Sequence, residues 1–141
     1  MVKGTVKITG ILSGHQAARL LPVSTLWANY AHSMNKRRMG SALEHNSFGR
    51  HLVRSAVFVF GNSALVGNIT DGRFWVSHFC PNTQREGIAA IRELKNHGAV
   101  GFAVTADMVG MLQKLGYKKL EITVPTNFRG QTVVKHILVS G

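Results

Sequence analysis

The stretch that decides the fold is Phe74 to Ala89, FWVSHFCPNTQREGIA. Its apolar and aromatic run ends at Pro81-Asn82, and a helical pattern follows with Gln84, Gly87 and Ala89 near its start. The first N–H groups of a helix have no acceptor within the helix, and the helix dipole adds partial positive charge there. Small residues at such a point let a pyrophosphate come close, so the stretch predicts a strand followed by a phosphate-binding helix start.

The residues before this stretch predict a meander of three antiparallel strands. Ala56 to Phe60 is β-branched and aromatic, and Ala64 to Ile69 is apolar again. Gly61-Asn62-Ser63 and Asp71-Gly72 are typical turn sequences, and Arg73 to Cys80 completes the third strand. Nearer the N-terminus, the patterns predict a strand, one or two helices, and a loop with a helical piece near Leu43 or Leu52. Those three segments are Thr5 to Leu12, His15 to His32 and Ser33 to Arg54.

After the quoted stretch, the periodicity alternates between helices and strands. Asn82 or Thr83 can cap the first helix, and Gly98 ends it. The predicted elements are a helix over Gln84 to Asn96, a strand over Ala99 to Thr105, a helix over Asp107 to Leu115, and strands over Leu120 to Val124 and Thr132 to Val139, joined by a turn over Asn127 to Gln131. The whole order predicts a mixed α/β fold, and 141 residues fit one domain spanning 1–141.

Composition indicates a globular, soluble protein. Hydrophobic residues make up 45% and charged residues 16% of the chain, and the single cysteine, Cys80, excludes an internal disulfide framework. The apolar part of Met1 to Leu12 is too short and interrupted for a signal or membrane helix. We therefore expect a cytoplasmic protein without membrane contact.

The charge balance points to a polyanionic neighbour. Seventeen Lys and Arg against six Asp and Glu give a net charge of +11. Such a field concentrates nucleic acid, phosphorylated cofactors or acidic protein without sequence specificity. A basic cluster forms a candidate surface for nucleic acid or acidic protein, although a solvated loop explains it equally well. The cluster consists of Lys36, Arg37, Arg38, Arg50 and Arg54.

The order of elements, with QREGIA opening one helix and QKLGY closing the next, resembles the GCN5-related N-acetyltransferase family. The family pattern falls on Gln84, Gly87 and Ala89, and its Leu-Gly-aromatic ending falls on Leu115-Gly116-Tyr117. The resemblance covers the chain from Ser55 onward and is weak before it. It implies a central, mostly antiparallel mixed sheet of six to seven strands, with a splayed parallel pair and helices on both faces.

The resemblance also implies acetyl-coenzyme A as the ligand. Its pyrophosphate would lie on the N–H groups of Arg85 to Ala89, and its pantetheine arm would pair with the backbone of Phe79 and Cys80. The implied cofactor-binding residues are Phe79, Cys80, Gln84, Arg85, Glu86, Gly87, Ile88 and Ala89. The alternative is that Gly87 and Ala89 only let the helix pack closely on the sheet.

Catalytic residues are harder to find, because Arg73 to Cys80 contains no carboxylate. The titratable candidates on that strand are His78, as a proton relay, and Cys80, as an acyl acceptor. The alternatives are that His78 faces solvent or a partner strand and that Cys80 is a packing residue. The position where many family members have a tyrosine is Leu112. The histidines have no close ligand spacing, so we predict no metal site.

Two hypotheses follow. The first is an acetyl-coenzyme A-dependent N-acetyltransferase that acts on an amine of an unidentified acceptor. The second is a catalytically silent protein of the same fold that binds nucleic acid or a protein assembly through its basic surface. The second gains support from a looser similarity to acetyltransferase-like internal virion proteins of short-tailed phages, in FGNSALVGNITDGRFWV and the helix ending at Gly116. That similarity implies a virion or infected-cell setting. A homodimer is left open.

Overall fold

The computed structural model of the protein describes residues 10–37, 42–128 and 130–140. The first described elements are β1 (Ile11–Ser13), α1 (Gly14–Leu20), α2 (Val23–Lys36) and α3 (His45–Val53). A capping box starts α1, because the Ser13 hydroxyl accepts from the Gln16 N–H and the Gln16 side chain accepts from the Ser13 N–H. The predicted helical region is divided at Pro22, which immediately precedes α2.

The boundaries in this region differ from the sequence-based expectation. Helix α2 continues to Lys36, so the predicted loop from Ser33 is helical at its start. The helical piece expected within that loop is α3, which contains Leu52 and not Leu43. Most of the predicted first strand, Thr5 to Thr9, lies outside the described residues, and its described end is β1.

The predicted meander is confirmed as β2 (Ala56–Phe60), β3 (Ser63–Thr70) and β4 (Arg73–Cys80). The tight turns between these strands need left-handed backbone. Gly61 has a φ of +61° in the first turn, and Asp71 and Gly72 have φ values of +53° and +75° in the second.

The remaining elements are α4 (Gln84–Leu94) with a short 3-10 turn (Lys95–His97), β5 (Ala99–Val104), α5 (Ala106–Lys114), β6 (Lys118–Phe128) and β7 (Gln131–Ser140). Strand β6 is longer than predicted, because it continues through Pro125, where the pattern indicated an end. A proline removes a backbone donor and is tolerated on an edge strand. β6 lies at one edge of the sheet that the described strands form, which explains why proline is tolerated there.

The described strands form one seven-stranded sheet in the order β1-β2-β3-β4-β5-β7-β6. Among these strands only β4 and β5 pair in parallel, and the other neighbours are antiparallel. Helices cover both faces. One core lies under α4 and α5 and includes Leu65, Phe102 and Leu138, and the other lies under α1 to α3 and includes Val57 and Val66. The predicted mixed, mostly antiparallel architecture is confirmed.

The Leu115-Gly116-Tyr117 sequence ends α5 and holds it against α4. The Tyr117 N–H donates to the Leu112 carbonyl and the Gly116 N–H to the Gln113 carbonyl, both at 3.0 Å, with a φ of +98° at Gly116. This is a Schellman ending, which favours glycine at the left-handed position. The buried Tyr117 hydroxyl donates to the Ile91 carbonyl of α4 at 2.7 Å. The motif therefore has a structural role of its own.

A β-bulge interrupts β4 beside its parallel partner. Val66 pairs with His78 and Gly67 pairs with Val76, which leaves Ser77 as the extra residue. The Ser77 hydroxyl donates to the Val66 carbonyl at 3.2 Å. Gly67 is buried, and a Cβ added to it would lie 1.9 Å from the Trp75 carbonyl oxygen. The bulge therefore requires glycine at this position.

We expect Gly67→Ala to lower the free energy of unfolding by about 1–3 kcal/mol, because the added methyl group forces the backbone of β3 away from β4. Urea unfolding followed by circular dichroism measures this. Gly110→Ala is the matched control, since a Cβ at Gly110 on α5 meets nothing within 4 Å. Alanine in that helix should stabilise by up to about 1 kcal/mol. Equal midpoints for the two variants would show that the bulge does not need glycine.

Candidate functional site

A cleft opens where β4 and β5 separate. Their pairing ends at Val76 and Phe102, although β4 continues to Cys80 and β5 to Val104. The space between the two strand ends has a volume of about 640 Å³. That volume is typical of a pocket for a small molecule or for one arm of a cofactor.

The cleft passes from one face of the sheet to the other. On the side of α4 and α5 its walls are apolar, with Val76, Phe79, Ile91, Phe102 and Met108. On the side of α2 the walls carry polar and charged groups, including Tyr30, Ser33, Arg37, His78, Gln131 and Lys135. The two openings therefore differ in chemistry. A molecule that extends through the cleft contacts apolar side chains on the α4 and α5 side and polar or cationic side chains on the α2 side.

An ion pair joins the two sides of the cleft. The Arg37 Nε at the end of α2 donates to Oδ2 of Asp107 in the first turn of α5 at 3.3 Å, with the side chains 24% and 46% exposed. The Thr105 hydroxyl donates to Oδ1 of the same carboxylate. Such a partly exposed pair adds little stability. Its effect is to hold the end of α2 near the start of α5.

The charge inside the cleft is positive. Lys135 lines it, as does Arg37 in its ion pair with Asp107, and no Asp or Glu is among the described lining residues. Lys36 lies nearby, with its Nζ 3.4 Å from Oε1 of Gln84 at the start of α4. A cleft with this charge attracts anionic ligands and repels cationic ones.

His78 lies on the α2 side of the sheet and is surrounded by rings. The ring centroids of Tyr30, Phe48 and His51 lie 5.2, 6.2 and 4.5 Å from its own. Burial, and then the charge of His51, lowers the pKa of His78 to about 4. The imidazole is therefore neutral at pH 7 and is a weak base, which argues against the predicted proton relay.

Cys80 is fully buried in the core under α1 to α3. Burial raises the pKa of its thiol, because the thiolate would be desolvated. Cys80 is also absent from the described cleft lining. The structure thus supports the packing alternative over acyl acceptance. The neighbouring Phe79 does line the cleft, on the opposite face of the sheet.

The start of α4 directly follows this part of β4. The Thr83 hydroxyl caps the helix by accepting from the Glu86 N–H at 3.1 Å, and the Thr83 carbonyl accepts from the Gly87 N–H at 2.9 Å. The N–H groups of Gln84 and Arg85 precede that of Gly87, the first N–H with an intrahelical acceptor, and they have no protein acceptor in the described part of the chain. These two N–H groups are the unpaired backbone donors at the start of α4.

Two residues of the predicted cofactor site have packing roles. A Cβ at buried Gly87 would lie 2.6 Å from both the Phe79 ring and the Pro81 side chain, so glycine lets α4 approach β4. The Glu86 carboxylate accepts from the Ser63 hydroxyl at 2.6 Å and from the Asn62 N–H at 3.1 Å. Glu86 therefore fastens α4 to the β2–β3 turn, and Gly87 fits the packing alternative.

The other predicted residues of α4 lie together on its surface. Gln84, Arg85, Ile88 and Ala89 line a shallow depression with Arg92. Arg92 was missed by the sequence analysis, although it follows Arg85 by two helical turns and shares its face. Arg85 and Arg92 are both exposed and give this surface a positive charge beside the helix start.

The residues of the predicted basic cluster do not lie together. Arg37 lines the cleft and bonds to Asp107, and Lys36 contacts Gln84 at the start of α4. Arg50 and Arg54 are exposed on and just after α3, one helical turn apart, and Arg50 bonds to the Ser47 hydroxyl at 3.2 Å. Arg38 lies outside the described residues.

Several cleft residues were not predicted. Ser33 shares one face of α2 with Tyr30 at helical spacing, so extending the predicted helix past His32 would have found it, whereas Arg37 was already in the predicted basic cluster. Lys135 and Gln131 on β7 carry no such signal, because their place in the cleft depends on how β7 pairs with β5 across the sheet.

The described residues contain no group of three or more His, Cys, Asp or Glu side chains that could hold a metal ion. In the described ranges, no helix is long and apolar enough to cross a membrane. No family model matches the chain, and no curated protein matches it in sequence.

The depressed pKa of His78 predicts a specific pH dependence of stability. Because the folded value of about 4 lies below the ordinary 6.5, the unfolded chain takes up this proton first, and stability is lost as pH falls from about 6.5 through about 4. Between pH 7 and pH 4.5 the loss from this one group should be about 2–3 kcal/mol.

His78→Phe should remove that loss, as measured by urea unfolding at the two pH values. His32→Gln, which removes an exposed histidine of α2, is the control and should follow the wild type. If His78→Phe loses as much stability on acidification as the wild type, the desolvation of His78 is not what lowers stability in acid.

Proposed function

We propose that the protein is a GCN5-related N-acetyltransferase that binds acetyl-coenzyme A in the cleft between β4 and β5 and transfers its acetyl group to an amine. The observation that carries the proposal is the end of parallel pairing at Val76 and Phe102, directly before the helix start at Gln84. This places an open strand edge, an apolar slot and an anion-binding helix start in one continuous path.

The residues present fit the parts of this cofactor. The edge of β4 from Ser77 to Cys80 pairs with β3 on one side and has no strand partner among the described residues on the other. Its backbone can pair with the amide groups of a pantetheine arm. The Gln84 and Arg85 N–H groups, with the Arg85 and Arg92 guanidinium groups, suit the pyrophosphate.

Acetyl-coenzyme A would supply the acetyl group as an activated thioester. The residues of the cleft contribute to the reaction by positioning the reactants more than by transferring protons. His78 is a weak base, Cys80 is buried, and Leu112 is a core residue without a hydroxyl group. No carboxylate lines the cleft in the part of the chain that is described. Transfer then depends on orientation of the two reactants and on an amine that arrives uncharged.

Calorimetric titration with acetyl-coenzyme A tests the proposal. Ala103→Phe fills the cleft from β5, where the Ala103 side chain is exposed, so binding should weaken at least tenfold. Ala28→Phe, at an exposed position of α2, is the matched control and should bind like the wild type.

A second pair of variants separates the helix start from the cleft. Arg85→Glu should weaken the binding of acetyl-coenzyme A by about tenfold, because the negative side chain would face the pyrophosphate. The binding of pantetheine, the arm without phosphate groups, should not change. Arg19→Glu, at an exposed position of α1, controls for the change in net charge. Absence of binding by the wild type, or equal binding by Ala103→Phe and Ala28→Phe, would refute the proposed site.

A catalytically silent protein that binds nucleic acid is the second candidate. It is favoured by the absence of a strong base in the described cleft lining and by Arg50 and Arg54, which are exposed one turn apart. The looser similarity to internal virion proteins of phages supports the same candidate and a setting in the virion or the host cytoplasm.

A salt series of duplex DNA and RNA binding tests this candidate. The logarithm of the affinity should fall linearly with the logarithm of salt concentration, and Arg50→Gln with Arg54→Gln should reduce the DNA slope by about 2. Affinity that does not change between low and moderate salt would exclude an electrostatic nucleic-acid role.

A further inference from the structure

We infer that the acceptor is the free α-amino group at the N-terminus of a peptide or protein whose first residues are acidic. This inference rests on the proposed acetyl transfer and identifies its second substrate. Three independent features of the α2 side of the cleft support it: the charge of the walls, the open edge of β7, and the weakness of the available base.

The charge of the walls favours an anionic acceptor. Lys135 lines the cleft, and its side chain makes no hydrogen bond or ion pair with any described residue. Arg37 uses its Nε for Asp107, and a guanidinium group has further N–H donors that can bind a carboxylate. No carboxylate of the described lining is available to hold a cationic acceptor. A lysine-rich peptide or a polyamine is therefore repelled, and an acidic chain is attracted.

The open edge of β7 favours an extended peptide. β7 pairs with β5 from His136 to Ser140, and the pairing ends at Val104 and His136. The segment Gln131 to Lys135 pairs with β6 on one side, and its cleft side has no strand partner in the described ranges. Gln131, Val133 and Lys135 line the cleft from this segment. An extended chain that adds to this edge would have its side chains beside Lys135.

The weak base favours an amine of low pKa. An α-amino group has a pKa of about 7.7–8.0 and a lysine side chain about 10.4, so near pH 8 the neutral fraction is about a hundredfold larger for the α-amine. The neutral amine forms an amide bond to the acetyl carbon as the carbon–sulfur bond breaks, and the proton lost from nitrogen ends on the departing sulfur, so the products are the acetylated amine and the free thiol. With His78 a weak base, the α-amine is the acceptor that needs no strong base from the chain.

Peptide binding in the absence of acetyl-coenzyme A tests whether the cationic walls and the open edge of β7 bind an acidic peptide. Two pentapeptides share an N-terminal alanine and differ in the next three residues, which are acidic in one and basic in the other. By calorimetry the acidic peptide should bind the wild type at least tenfold more tightly. Lys135→Gln should remove most of that advantage, whereas Lys118→Gln, at an exposed position of β6, should keep it. Equal binding of the two peptides overturns the inference.

A measurement of acetylation rates with acetyl-coenzyme A tests which kind of amine is the acceptor. The acidic peptide is compared with an N-terminally blocked acidic peptide that carries one lysine. The α-amine should react at least tenfold faster at pH 8, with a rate that rises with pH and levels off above about 8. Equal or faster acetylation of the lysine overturns the inference while the proposed transferase activity stands. Failure of the wild type to bind acetyl-coenzyme A removes the proposed function and this inference with it.

Discussion

The separation of β4 from β5 after Val76 and Phe102 is the constraint on which the candidate site depends. It occurs beside the bulge in which Ser77 is the extra residue of β4, opposite Val66 and Gly67. A bulge bends a strand and increases its twist, so β4 can leave its parallel partner while it stays paired with β3. Gly67 makes this possible, because its Cα approaches the Trp75 carbonyl too closely for any side chain. The cleft thus results from a backbone irregularity within a continuous sheet.

The same geometry supports binding more directly than it supports chemistry. An open strand edge, apolar walls and the first N–H groups of α4 follow one another along a short segment of chain. In contrast, the two candidate catalytic groups are poorly suited to proton transfer or acyl acceptance, since His78 is surrounded by rings and is a weak base, and Cys80 is buried. On the proposed function, selection of the acceptor by Lys135 and Arg37 is the main contribution of the chain on the α2 side.

The sequence predicted the elements well where their signals are local. Turn residues around Gly61 and Asp71 and the cap at Thr83 defined the meander and the start of α4. The predicted strand ended at Val124, but β6 continues through Pro125, because tolerance of proline depends on whether the strand lies at the sheet edge. Gly87 matched a phosphate-binding pattern, yet its surroundings show close packing on Phe79. Lys135 could not be found, because its position depends on pairing between strands that are distant in sequence.

The most direct test is a map of backbone amide shifts when coenzyme A is titrated into the isotopically labelled protein. If the cofactor lies between the splayed strands, the largest changes should fall on Ser77 to Cys80, on Ala103 and Val104, and on Gln84 and Arg85. Amides of the β2–β3 turn and of α1 should change little. Shifts confined to exposed arginine residues of α3, with none at the splayed strand ends, would contradict a coenzyme A site in the cleft.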